Sequence, residues 1–288
     1  MACVIISQVF PYTISLYLAL ILIISIGILH GANDILLIEK TNFISVKDKW
    51  LTQLIYFITV LIAVALFYFI PFYALLLFIL FSAYHFGEQH WGKKFTSKAF
   101  QIHKKVFQFS FGLLILSMLF LLRTKTTNEV IVDLADLYIP KLWYTYLAIL
   151  SFSTSLVLAI FLTYQKEINL TKMSFEFSLV ILYFLIFNFT PLILGFAIYF
   201  AFWHSLPSLK DQVDFMYGEK TKKSFTSYLK DACIYWLISV VGFGLFLYFF
   251  YESKLFYSFL FSFIAAITFP HVIVMGKMFS YLKHQKVG

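Results

Sequence analysis

Residues 51–70 read LTQLIYFITVLIAVALFYFI, twenty residues without a single charge. At about 1.5 Å rise per residue such a stretch crosses the roughly 30 Å hydrocarbon core of a bilayer as one helix. Pro71 then opens a second apolar run with no charge in between. Working outward in both directions gives nine runs of this kind, at about 12–38, 51–70, 71–92, 106–122, 143–164, 174–189, 191–208, 232–251 and 255–276. Composition agrees: of 288 residues, 61% are hydrophobic, 21% aromatic and only 12% charged, with a mean hydropathy of +0.87. A soluble domain carries about 25% charged residues, so an ordinary water-soluble globule and a disordered chain are both excluded. The expected fold is all-α, a polytopic integral membrane bundle of eight to nine helices forming a single transmembrane domain over residues 1–288.

Two joins carry no charge, at Pro71 and at Asn188-Phe189-Thr190-Pro191, and are marked by a proline that disfavours helix at the residue before it. They read as tight hairpins or kinks; a kink at either lowers the span count and inverts the topology of every later span. The sixth run is short, which fits a helix of little tilt or a partly re-entrant one. The first run lacks a basic leader and a small-residue cleavage signature, so it reads as a retained helix and not as a secretory signal. The mixed-charge segment from Arg123 to Trp143 is the sizeable external connection, with an interfacial helix expected. Cys3 and Cys233 match no disulfide framework or C-x-x-C motif and read as packing or lipid-facing residues.

Eighteen of the 22 lysines and arginines fall after odd-numbered runs or in the C-terminal tail, and four (Arg123, Lys125, Lys141, Lys254) on the other side. The positive-inside rule then puts the N-terminus outside and the C-terminus in the cytoplasm, in a multi-pass cell-membrane protein. The net charge of +8 is what loops beside anionic headgroups carry, and calls for no nucleic-acid partner.

Polar side chains inside lipid are costly, so each asks for a reason. Of seven histidines, His103 and His284 fall in basic segments; the others lie in or at the ends of odd-numbered runs. His90, rotated by about 140° from His85 and beside Trp91, reads as interfacial. His30, His85, His204 and His271 fall within about one turn of a common depth on four different helices. One such histidine is a packing residue as readily as a ligand. Four at one level read as a shared metal site, because helix bundles build such sites from inward side chains and imidazole is the commonest ligand for Fe, Zn and Cu. Asp34, four residues after His30, reads equally as a carboxylate accepting a ring N–H from a metal-bound histidine or as a helix-end group.

His30-Gly31-x-x-Asp34, Tyr84-His85-Phe86-Gly87, Trp203-His204-Ser205 and Phe269-Pro270-His271 form an ordered set that resembles the signature blocks of the Brp/Blh family of bacterial carotenoid cleavage enzymes. The resemblance implies a membrane-embedded non-haem iron oxygenase that cleaves β-carotene at its central 15,15′ double bond with O2, giving two molecules of all-trans-retinal. It implies Fe(2+) as cofactor, His30, His85 and His204 as its ligands, β-carotene or a related carotenoid drawn from membrane lipid as substrate, and delivery of retinal to a rhodopsin. In one place the chain departs from the pattern: the family's third block usually has a second histidine one turn on, and here that position is Ser208. Either His271 completes the set, as the depth argument favours, or three histidines leave a position to water. Candidate tunnel-lining rings are Tyr84, Phe86, Tyr199, Phe202, Trp203 and Phe269. The competing readings are a haem protein and a proton-coupled membrane transporter using the buried histidines.

Overall fold

The computed structural model describes residues 8–9, 11–41, 49–253 and 256–285; Cys3, Lys47, Lys254 and Lys286, and the side chains of Lys49, Lys283 and His284, lie outside the described set. The described chain is 87% helical and holds no strand. Apolar runs of this length have no other way to satisfy their backbone in lipid. The helices are α1 (Tyr12–Leu22), continued by a π-helical turn Ile23–Gly27, then α2 (Asp34–Thr41), α3 (Lys49–Phe69), α4 (Pro71–Trp91), α5 (Gln101–Leu122) and α6 (Thr124–Ala135). After these come α7 (Lys141–Tyr164), α8 (Leu170–Phe189), α9 (Leu192–Tyr199) with a π-helical stretch Phe200–Ser205, α10 (Leu206–Tyr217), α11 (Lys222–Phe250) and α12 (Phe256–Gln285). Among the described residues, eight helical stretches are long and apolar enough to cross a membrane, and Tyr12–Gly27 is a shorter apolar helix. The chain is a polytopic helical membrane bundle, as its hydropathy predicts.

Helix ends differ from the charge-free runs in a regular way. α5, α8 and α11 begin several residues earlier than their runs, taking in Lys104, Lys172 and Lys230. α8 is therefore a full helix of 20 residues and not a short or re-entrant one, capped by Asn169, whose side chain accepts from the Thr171 N–H at 2.8 Å. Its far end stops at Thr190-Pro191, where Arg123 donates to the Phe187 and Asn188 carbonyls that the helix leaves unpaired. The Arg123–Trp143 connection does contain a helix, α6, and its Asn128 side chain closes the following loop on the Ile139 backbone. The first run is not one helix: residues 30–33 leave the helical path between α1 and α2.

The chain divides into two compact units, one of residues 79–199 with the segment up to Leu20, the other of residues 21–78 with 200–288. In the first, α5 is central, with Phe107, Phe111 and Ile115 buried. Ser110 meets Ser155 at 3.0 Å and Ser117 meets Ser151 at 3.1 Å, so small hydroxyls join α5 to α7 where apolar contact has no hydrophobic drive in lipid. α4 and α5 touch backbone to backbone: a Cβ at Gly87 would fall on the Gln108 carbonyl, and one at Gly112 on that of Ala83. In the second unit, Leu37, Ile38, Phe215, Val274 and Met278 pack α2, α10 and α12 together, and Ala32, Leu209, Val213 and Tyr228 pack the 30–33 break against α10 and α11. Leu192–Tyr217 is mostly buried, whereas Lys222–Phe250 is largely exposed, with Ile234, Leu237, Ile238 and Val241 facing outward as lipid-exposed side chains do.

Candidate metal centre

Residues 30–33 carry tight backbone bonds, Gly31 N to the Ile28 carbonyl at 3.1 Å and Ala32 N to that of Leu29 at 3.2 Å, in place of the α-helical ladder. The small residues Gly31 and Ala32 permit this, and the groups the break exposes find side-chain partners. Gln212 Nε2 donates to the His30 carbonyl at 2.7 Å, Tyr228 donates to Gln212 Oε1 at 2.8 Å, and Asn33 Nδ2 donates to the Tyr228 carbonyl at 3.3 Å. Broken helices inside membrane proteins survive only where neighbours satisfy the backbone in this way.

The break delivers His30 to a buried group of three imidazoles. His30 comes from the break, His204 from the π-helical stretch Phe200–Ser205, and His271 from α12, directly after Pro270. All three are buried, and one potential ligand nitrogen from each lies within 4.8 Å of the others. The His30 ring stands nearly perpendicular to both others, with centroids 5.2 Å from His204 and 4.6 Å from His271. His30 Nδ1 bonds the Gly27 carbonyl, so that nitrogen carries the proton and the lone pair sits on Nε2, which has no hydrogen-bond partner among the described residues. A buried imidazole nitrogen left this way is what a metal ligand looks like without its ion. Three buried imidazole nitrogens within 4.8 Å of one another are a donor set that fits a transition metal.

Both π-helical turns adjoin this group, and such turns are frequent at functional sites. Phe200, inside the second, stacks on His204 (centroids 5.3 Å, 15°) and meets His30 edge-on at 5.3 Å. Gly27, at the end of the first, makes room for that ring: a Cβ there would come within 2.9 Å of Phe200 Cε1. Asp34, 1% exposed, accepts from His271 Nδ1 at 2.9 and 3.1 Å and from the Tyr56 hydroxyl at 2.8 Å. Because the helix breaks between His30 and Asp34, the one-turn spacing read from sequence does not apply, and the carboxylate meets His271 instead.

Of the four expected ligands, His30, His204 and His271 are brought together within one unit. His85 is buried on α4, in the part of the chain that belongs to the other unit. Ser208, in place of the family's histidine, is fully buried and 3.3 Å from Gln212 Nε2. His90 is buried within its unit, with Nδ1 at 2.8 Å from Glu176 Oε2 and Nε2 at 3.2 Å from the Tyr199 hydroxyl, and Lys94 also pairs with Glu176. Among the expected lining rings, Phe86 packs edge-on against Tyr199, Phe269 stacks with Phe67, and Phe202 is 41% exposed. Phe200 packs on His30 and His204, and the sequence does not distinguish it from the other 36 phenylalanines.

Among known proteins, the family model described as Beta-carotene 15,15'-dioxygenase matches residues 21–279. No curated protein and no solved structure matches the chain.

Proposed function

Since the chain belongs to the beta-carotene 15,15'-dioxygenase family, we propose that it is a membrane-embedded, iron-dependent enzyme that cleaves β-carotene at the central double bond. One β-carotene and one O2 give two all-trans-retinals, each aldehyde taking one oxygen atom. The observation that carries the iron reading is the buried group of His30, His204 and His271 with ligand atoms within 4.8 Å. Ferrous iron held by these imidazoles supplies the binding and activation of O2. His85 is proposed as a further ligand on the family pattern in the sequence alone, and His271 takes the part that Ser208, a poor iron ligand, cannot.

The chain's own residues prepare that chemistry. The Gly27 carbonyl holds the His30 Nδ1 proton and so keeps Nε2 free to ligate. The Phe200 ring, packed on His204 and His30, helps shield the imidazoles from water. The apolar helices admit a carotenoid sideways from the bilayer, and positioning of its middle bond sets where the polyene is cut. The lysine distribution supports a cell-membrane location with the C-terminus in the cytoplasm, and the product suits a retinal-binding rhodopsin as acceptor.

Expression in β-carotene-producing cells tests the reading: the wild type bleaches the orange colour and yields retinal, while His30→Ala leaves the colour and lacks stoichiometric iron. Iron-loaded wild type that leaves the colour and yields no retinal defeats the activity. A Soret band in the purified protein defeats the non-haem assignment.

A further inference from the structure

Asp34 is an acid at the first turn of α2, in a unit where few charges are buried, and burying a carboxylate is costly unless it is paired and hydrogen-bonded. Its two oxygens are engaged from two different helices. His271 Nδ1 on α12 lies 2.9 Å from Oδ1 and 3.1 Å from Oδ2, and the Tyr56 hydroxyl on α3 donates to Oδ2 at 2.8 Å. We propose that Asp34, backed by Tyr56, is the positioning residue of His271. By accepting the Nδ1 proton it fixes the ring's tautomer and orientation, so that the lone pair sits on Nε2 as a metal ligand. This rests on the iron reading above and deepens it.

Two features make the arrangement specific. The same break that frees His30 from the helix also starts α2 at Asp34, so one irregularity in the chain supplies a candidate ligand and the orienting group of another. His30 and His271 are held alike, each through Nδ1, one by the Gly27 carbonyl and the other by a carboxylate. A carboxylate raises the basicity of its imidazole more than a carbonyl does, and loss of such an outer partner typically weakens metal binding by roughly 10–100-fold. Asp34 thereby acts on the metal through His271 and not as a ligand.

The test uses purified full-length protein in two arms. In the metal-free protein, 15N NMR of labelled histidine shows His271 as the Nδ1–H tautomer, and Asp34→Asn displaces that signal. In the second arm, Fe(2+) and Co(2+) affinities are measured by competition with a chromophoric chelator, and the visible spectrum of the Co(2+) form is recorded. Asp34→Asn lowers affinity by roughly 10–100-fold and alters the spectrum, Tyr56→Phe lowers it less, and Asp34→Ala adds nothing in a His271→Ala background. Additive losses in the double variant, or an unchanged tautomer in Asp34→Asn, overturn the proposal. If the wild type binds no metal while the tautomer arm holds, the iron reading fails and Asp34 stands as the residue that orients His271.

Discussion

Each unit buries a histidine cluster, and the two are built on opposite principles. Around His90 in the first unit both ring nitrogens are engaged, by Glu176 and Tyr199, and Lys94 neutralises the carboxylate. Around His30 in the second, Nδ1 is engaged and Nε2 is left over, beside two more imidazoles. The first cluster is closed and does its work by holding α4, α8 and α9 together. The second is open, with three imidazole nitrogens close enough together to hold a metal ion. Burial of a histidine therefore says little about function; what its second nitrogen does says much more.

That contrast places the largest effect in the open cluster. His204→Ala abolishes retinal formation and metal retention while the protein keeps its helicity and detergent-solubilised yield, read by circular dichroism and metal analysis. In the closed cluster, Glu176→Ala strands His90 and Lys94 and costs about 3 kcal/mol of stability, the low end for a broken buried pair because the Lys94 side chain is 28% exposed. Metal content per folded molecule stays at the wild-type level; loss of metal without loss of stability would erase the distinction. Glycines sharpen it further. Gly87→Ala drives a Cβ into the Gln108 carbonyl and costs about 1–3 kcal/mol or more, whereas a Cβ at Gly31 would sit at an ordinary 3.7 Å from His271 Nδ1, so Gly31→Ala folds like the wild type in thermal unfolding.

The smallest effect concerns a second closed cluster, between the α7 and α8 spans. Burial penalises the Glu167 carboxylate, but hydrogen bonds from Lys104, Ser97 and Thr96 outweigh this and hold its carboxyl down to about 2 from an ordinary 4.5. A folded-state value below the unfolded one means the contribution is fully present above about pH 4.5 and is lost as pH falls towards 2. Thermal unfolding between pH 6 and 3 should show that decline, and Glu167→Gln should flatten it from a lower starting stability.

The spans were legible because lipid imposes a single rule, a run of apolar residues, on every helix that crosses it. Where that rule met lysines at helix ends it shortened the runs, as at Lys172 in α8, because a helix continues into the headgroup region while a charge-free stretch does not. The three clustered histidines were legible too, since an imidazole at depth is conspicuous in a chain with 12% charged residues. The surroundings were not. Gln212, Tyr228 and Tyr56 are ordinary residues whose importance comes from which helix they face, and rotation about a helix axis leaves no mark in a run that is apolar on all sides. Glu176 was the missed signal: an acid within a largely apolar helix needs partners, and His90 and Lys94 are those partners.

The two π-helical turns carry one more consequence. A π turn closes its hydrogen bond over one residue more than an α turn, so each behaves as a single-residue insertion absorbed without ending the helix. Wound as α-helix with no residue removed, Phe200–Ser205 would accumulate up to one residue's extra rotation, about 100°, and carry His204 off the imidazole group. The spacing between Pro191 and His204 is thus a count fixed to the residue, in a stretch where almost any apolar side chain would satisfy the membrane.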